Sequence, residues 1–296
     1  SDEYTVKKHT SELFADHAVE FLGKAKGSDK PFFMYVAFNA PHDPRQAPKE
    51  FVDMYPPAKI KIPENYLPEH PFDNGAIKIR DEALAPFPRT KEVVQVHRSE
   101  YYAIITHMDR EIGRVLKALE KSGRADNTYV VFTADHGLAV GQHGLMGKQN
   151  PYDHSIRMPF MISGPGIRKG ATVDEKIYMQ SVYPTTCKLA GLKVPGTVDY
   201  SSIVPLVHGQ KGARGEDLIF NSYILTQRLV RTDQFKLIHY PKIGRNQLFD
   251  LKNDPRETKD LINDPRLAAV RKDLLSALQK KRKELGDGLL SAPQKK

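Results

Sequence analysis

The sequence predicts an α/β protein: a largely parallel mixed sheet flanked by helices, followed by a small antiparallel sheet with a closing helix. Three observations point there. Two apolar, β-rich runs, residues 32–38 and 128–134, are separated by a long amphipathic stretch. Each run ends in residues that can do chemistry, His42 after the first and Asp135 with His136 after the second, and open α/β sheets meet their ligands at the carboxyl ends of strands. From residue 218 onward the pattern changes to short apolar segments separated by turn residues, as in a meander. The expected organisation is therefore an α/β core over residues 1–210 and an antiparallel subdomain over 211–296. The boundary falls in a stretch marked by Gly209, Gly212 and Gly215.

Taken in order, residues 10–26 place Phe14, Ala18, Phe21 and Leu22 on one helical face and lead through Gly27-Ser28-Asp29 into the first apolar run. Residues 41–95 show little periodicity and hold ten prolines between Pro41 and Pro88, and a loop of that length in a compact domain is functional or wraps a surface. Tyr101, Ile105, Met108, Ile112, Val115 and Leu119 then recur at steps of four and three, a helix stripe expected to face the sheet, with His97, His107 and Asp109 outside it as surface or helix-end residues. Gly123 closes that helix. Phe160-Met161-Ile162 reads as a short buried strand, and residues 178–192 as a helix with Pro184 in its first turn. Residues 218–223, 227–231, 235–240 and 247–251 read as the meander. Asp264-Pro265 supplies an N-cap and a first-turn proline for a final helix whose apolar face is Leu267, Val270, Leu274 and Leu278.

The composition fits a globular chain: 296 residues, 40% hydrophobic and 27% charged. No apolar run reaches membrane-spanning length, and the opening Ser-Asp-Glu-Tyr carries no signal peptide. A single cysteine, Cys187, excludes an internal disulfide framework without deciding the compartment. The net charge of +9 tempts one to a nucleic-acid partner, but residues 266–296 hold nine basic against three acidic residues, and Lys280-Lys281-Arg282-Lys283 suits a solvated helix end. With no recognition motif beside the charge, no nucleic-acid partner is expected.

The chemistry concentrates in Asp135-His136-Gly137 and the following Gly141-Gln142-His143-Gly144-Leu145-Met146-Gly147-Lys148. Asp135 offers a hard oxygen and His136 a nitrogen, so the pair can hold a divalent cation, and Lys148 can neutralise an anionic substrate. His143 fits a hydrogen-bonding loop histidine near such a pocket. The same residues also suit a polar loop in which Asp135 caps a turn and His136 packs. A zinc cluster of His136, His143 and His154 lacks the helical i, i+4 spacing that would present them together. Gly147-Lys148 is no phosphate-binding P-loop either, since Gln142 and Gln149 occupy the required Gly and Ser/Thr positions.

Asp135-His136-Gly137, His143-Gly144-Leu145, Lys148, Tyr152-Asp153-His154-Ser155-x-Arg157-x-Pro159 and Gly164-Pro165-Gly166 together resemble the second half of a type I sulfatase of the alkaline phosphatase superfamily. Ala40-Pro41-His42-Asp43-Pro44 resembles that family's histidine motif, and Gln247-Leu248-Phe249-Asp250-Leu251-x-x-Asp254-Pro255-x-Glu257 its carboxyl-terminal signature. The resemblance implies an alkaline-phosphatase-like fold and sulfuric ester hydrolysis. It makes Asp135 and His136 ligands of Ca2+, with Mg2+ the alternative, and sets Lys148 and His42 at the sulfate group and the leaving oxygen as catalytic and substrate-binding residues. His143 joins them as a substrate-side residue. The substrate would be a sulfated small molecule or polysaccharide, and the parent protein periplasmic, secreted or lysosomal. His70, Asn74, Arg80 and Arg89 become candidates for substrate contact, beside the alternative of solvated loop residues. Phosphodiester and phosphonate monoester hydrolases share the loop, and a non-catalytic anion-binding module is the remaining alternative.

The departures from the family pattern matter as much. Its nucleophile, a formylglycine matured within Cys/Ser-x-Pro/Ala-x-Arg, has no counterpart, because Cys187 lies in Cys-Lys-Leu-Ala-Gly and Ser163-Gly-Pro-Gly ends in Ile167. No adjacent Asp-Asp pair occurs. The chain therefore resembles the carboxyl-terminal portion of a sulfatase, expected to be inactive alone, to expose an unpaired apolar sheet edge, and to bind an amino-terminal segment or second chain that completes it.

Overall fold

The computed structural model describes residues 7–287; the opening Ser-Asp-Glu-Tyr and the last basic residues, Lys295 and Lys296, lie outside them. The chain is α/β and forms two compact units. One takes the residues up to Ile62 together with Thr90–Val130, the other Pro63–Arg89 together with everything from Val131 on. The expected change of architecture near 210 is a change of element type, from helices and loops to a meander, inside the second unit.

In the first unit, α1 (Thr10–Lys24) begins at His9, whose ring accepts from the Ser11 amide, and buries Ser11, Ala15, Ala18 and Leu22. The long α3 (Lys91–Lys121) packs with it, and the short α2 (Lys49–Val52) packs on α3. Thr90 caps α3 by accepting from Val93 N, and Gly123 takes the left-handed φ of 76° that ends it. The most buried face of α3 is Ala103, Ile104, His107 and Glu111, one step round from the expected stripe, whose Tyr101, Ile105, Met108, Ile112 and Val115 are only half-buried. His107 is accordingly not a surface residue. Small residues on α1, Ala15 and Ala18, let the helices approach, and His107 lies between His9 and Phe51 with ring centroids 4.4 and 5.0 Å away. Close approach won over maximal apolar area.

Residues 32–38, expected as a strand, join no ladder among the described residues. Burial still alternates residue by residue, with Phe33 75% and Tyr35 83% exposed. The side-chain pattern of a strand is present without a ladder partner among the described residues.

In the second unit, β1 (Val130–Thr133) pairs with β2 (Phe160–Ser163), and the single turn α4 (Asp153–Ile156) lies between them in sequence. Helices α5 (Val182–Leu189), with Pro184 in its first turn, and α6 (Val204–Val207) follow. The meander is β3 (Ile219–Tyr223), β4 (Gln227–Arg231), β5 (Phe235–Tyr240) and β6 (Arg245–Asp250), antiparallel and in sequence order. Its register sets Val230 opposite Leu237 and Leu237 opposite Leu248. Alternation then divides the strands between two cores. Val230, Leu237 and Leu248 face α7 (Ala268–Glu284) through Leu274 and Leu278. Leu229, Ile238, Tyr240 and Phe249 pack against Ala139, Leu145 and Tyr152 of the loop after β1. Each such buried aliphatic or aromatic side chain contributes about 1.5–3 kcal/mol, so the meander is the floor on which that loop is built.

Asp264 caps the final helical segment by accepting from Arg266 N, as its sequence predicts. The basic run at the end of α7 is not wholly solvated: Arg282 is buried and donates to Asp287 at 2.7 Å. Among the described residues, no helix is long and apolar enough to cross a membrane.

Candidate active site

The loop following β1 is folded back on itself by backbone bonds, Ala139 N to Gly147 O and Gly141 N to Leu145 O, both 2.9 Å. At its start Asp135 accepts the His136 amide at 2.9 Å. The His136 Nδ1 lies 2.9 Å from the Gly137 carbonyl, which can only accept, so Nδ1 carries a proton and donates to it. The ring's Nε2 lies 3.4 Å from Asp135 Oδ2, with the Asp135 side chain 79% exposed. A carboxylate oxygen and the imidazole Nε2 thus sit together at the surface of this unit, with Nδ1 already engaged by a backbone carbonyl. The described residues hold no group of three or more His, Cys, Asp or Glu able to bind a metal. Asp135 and His136 are a suitable donor pair, and a complete site needs further ligands.

Gly137 fixes this pair against the neighbouring segment. Its amide donates to Ser155 O at 2.8 Å, and a Cβ at this position would stand 2.1 Å from the His154 carbonyl oxygen. Behind that contact lies a buried ionic cluster. Lys236, whose side chain is fully buried, donates to Asp153 Oδ1 at 2.5 Å and Glu257 Oε1 at 2.6 Å. Arg231 also pairs with Asp153 at 3.0 Å, and Glu257 Oε2 accepts the Asp153 amide at 2.7 Å. Burial would push Asp153 up, but the charges of Lys236 and Arg231 outweigh it and hold the carboxyl below its ordinary value. Burial pushes Glu257 up, with Lys236 opposing it only in part.

Lys148 closes the loop, 21% exposed, with its ammonium 3.7 Å from Asp81 Oδ2. Asp81 also accepts from Arg80 and from Gln149 Nε2. Burial works against its ionisation, but those hydrogen bonds and the Lys148 charge prevail and lower it. Glu82, its neighbour in the chain, accepts the amides of Met146 and Gly147 at 2.9 Å each and pairs with the fully buried Arg89. None of Asp81, Glu82, Asp153, Lys236 or Glu257 stood out from the sequence as a site residue.

His143 is buried at a φ of 53°, its ring stacked 3.9 Å from that of Tyr152 and bonded to Asn65 Nδ2 at 3.0 Å. Its carbonyl accepts from His70 Nδ1 at 2.9 Å. Burial first, then the charges of His70 and Lys236, push His143 down to about 3, and burial brings His70 down to about 4. The hydrogen-bonding role expected of His143 is the one its surroundings provide. The zinc arrangement does not form among the described residues. Of the four candidate contacts in the proline-rich segment, His70, Asn74 and Arg89 are buried and so are not solvated loop residues; Arg80 is exposed. His42 belongs to the first unit, where Nδ1 donates to the Asp43 carbonyl at 2.8 Å and 40% of the side chain is exposed.

Comparison with known proteins bears on this geometry. Residues 1–192 match the sulfatase family, and residues 141–284 match the family described as N-sulphoglucosamine sulphohydrolase, C-terminal. An arylsulfatase of Clostridium perfringens is 31% identical over 310 residues, covering 96% of this chain and 61% of its own length. Among solved structures, a phosphonate monoester hydrolase from Silicibacter pomeroyi superposes with a TM-score of 0.80 at 24% identity, covering 95% of this chain and 61% of that one. A structure holding its substrate D-glucosamine-2-N,6-O-disulfate superposes with a TM-score of 0.79 at 22% identity, covering 97% and 72%. The fold is thus that of the alkaline-phosphatase-like hydrolases, small antiparallel carboxyl-terminal sheet included, and the chain spans about three-fifths of the arylsulfatase.

Proposed function

Because the chain belongs to the sulfatase family, we propose that it supplies part of the active site of a sulfuric ester hydrolase acting on a sulfated small molecule or polysaccharide. The observation that carries this reading is the Asp135 carboxylate 3.4 Å from the Nε2 of His136, in one loop with Lys148. Asp135 and His136 would hold a divalent cation, Ca2+ in preference to Mg2+ as the family resemblance implies. A cation bound there absorbs negative charge on the transferred group. Lys148 exchanges its contact with Asp81 for the anionic group of the substrate; the proton for the departing oxygen is assigned to His42 by the family resemblance alone. Nucleophile and remaining ligands come from a segment outside these residues, since the chain has no Cys/Ser-x-Pro/Ala-x-Arg. The exposed Phe33 and Tyr35 support the same view from within the first unit, as an apolar strand face awaiting that segment.

The test is hydrolysis of p-nitrophenyl sulfate by the complete protein, read together with its calcium content. Activity that disappears on chelation and in Asp135→Asn supports the reading. Unchanged activity in Asp135→Asn refutes the metal assignment, and no sulfate release from a calcium-loaded protein refutes the sulfatase. The phosphonate monoester hydrolase among the fold neighbours supports a second reading, which parallel assays on a phosphonate monoester separate from the first.

A further inference from the structure

Arg89 and Glu82 form an ion pair with almost no exposure, 0% and 4%. Such a pair is a poor device for stability, because desolvating both charges offsets most of their attraction and apolar residues of similar volume would serve the fold as well. Its hydrogen bonds show where it acts. Glu82 Oε2 accepts the Met146 amide and Oε1 the Gly147 amide, each at 2.9 Å. Arg89 Nε donates to the Gly144 carbonyl at 2.9 Å, and Nη1 to the Ala85 carbonyl at 2.7 Å. Three of the four residues from 144 to 147 therefore have their backbone held by one pair of charges.

The approach depends on Gly147, since a Cβ there would lie 2.9 Å from Glu82 Oε1 and 3.1 Å from the Asp81 Cβ. Lys148 follows immediately. Its amide donates to Gln149 Oε1 at 3.1 Å, and Gln149 Nε2 in turn donates to Asp81 Oδ2 at 2.9 Å. Two adjacent carboxylates on the single 3-10 turn Arg80–Leu84 thus divide the work: Asp81 lies at the Lys148 ammonium, and Glu82 holds the backbone that carries it.

We infer that Glu82, locked by Arg89, is a positioning residue that sets Lys148 for the anionic group of the substrate. The inference rests on the proposal that Lys148 meets that group. Misplacing a catalytic group by about 1 Å costs about a hundredfold in rate, which is reason enough to retain two buried charges beside it.

The experiment is a double-mutant cycle on the complete protein with Glu82→Gln, Lys148→Ala and both together. It is read as kcat and KM on p-nitrophenyl sulfate, and as the dissociation constant of inorganic sulfate by calorimetry so that it does not depend on turnover. Glu82→Gln keeps the side-chain volume but turns one acceptor into a donor facing an amide. The expected result is a drop of about a hundredfold in kcat/KM, whereas in the Lys148→Ala background the same change alters it by no more than about twofold. Arg89→Lys, which keeps the charge but loses the Gly144 contact, gives a smaller effect in the same direction and serves where Glu82→Gln unfolds. Full additivity with Lys148→Ala, or wild-type behaviour of both Glu82→Gln and Arg89→Lys, overturns the positioning role while leaving Lys148 in place. Unchanged turnover and sulfate affinity in Lys148→Ala itself overturns the underlying reading of the site instead.

Discussion

Replacing Lys236 by Met removes the cation from between two buried carboxylates. In the native chain Asp153 and Glu257 are 2.5 and 2.6 Å from the Lys236 ammonium, and the side chain has no solvent exposure. Arg231 compensates Asp153 at 3.0 Å, but in the variant Glu257 keeps only the Asp153 amide among its cluster partners. Breaking a buried pair by removing one member costs about 3–5 kcal/mol, a factor of roughly 10² to 10³ or more in the folding equilibrium. The assay is urea denaturation followed by circular dichroism at pH 7. A second reading comes from pH. Burial and the Asp153 charge push Glu257 up, and Lys236 opposes them. With the lysine gone, the folded-state pKa of Glu257 rises further above its unfolded value. That contribution is present below the unfolded pKa and lost as pH rises through the folded one, so the variant recovers stability as pH is lowered from 7 towards 5. Adding Asp153→Asn and Glu257→Gln to Lys236→Met leaves no unpaired charge and recovers part of the loss. A Lys236→Met variant within about 1 kcal/mol of wild type, below the range for a broken buried pair, or a triple variant no better than the single one, would refute the reasoning.

Other expected outcomes follow from the same geometry. His70 and His143 sit at about 4 and about 3 in the folded chain, below the unfolded value of about 6.5. Their contribution is full above pH 6.5 and lost as pH falls through 4 and 3, each adding a slope of up to about 1.4 kcal/mol per pH unit; His143→Gln should flatten the stability–pH curve in that window. Gly137→Ala, which forces a Cβ to 2.1 Å from the His154 carbonyl, should destabilise by about 1–3 kcal/mol and weaken calcium binding by calorimetry. Gly196→Ala, where a Cβ meets nothing within 4 Å, is its control, and equal calcium affinity in both would remove Gly137 from the site. Phe33→Ser with Tyr35→Ser should raise the solubility of this chain expressed alone, measured by sedimentation, and impair assembly of the complete protein; no change in either would mean that the exposed face has no partner.

The boundary between what the sequence discloses and what it hides follows the range of the interactions. Strands β4 and β5 fall where their apolar runs and turn residues place them, because alternation and turn chemistry are local properties. The run at 32–38 shows the limit of that logic: its alternation of exposure is realised, but a ladder needs a neighbour, and hydrophobic pattern says nothing about whether one is at hand. On α3 the periodicity correctly predicts a helix and misplaces its buried face, since Ala15 and Ala18 of a helix eighty residues earlier decide which side can be approached.

The candidate site divides the same way. Asp135, His136 and Lys148 stand out because they share one loop. Glu82 does not, and Arg89 does only as a candidate for substrate contact, because their partners at 144–147 lie some sixty residues away and are backbone groups, which leave no trace in side-chain chemistry. Glu257 lies within a recognisable motif, yet its role depends on Lys236 and on the Asp153 amide, neither of which the motif contains. In both clusters a buried carboxylate binds loop amides while a buried cation neutralises it. One set restrains the segment against which Gly137 is pressed, the other the peptides leading into Lys148. Residues able to touch a ligand are therefore legible as residue types, whereas those that aim them are legible only once the chain has brought distant segments together.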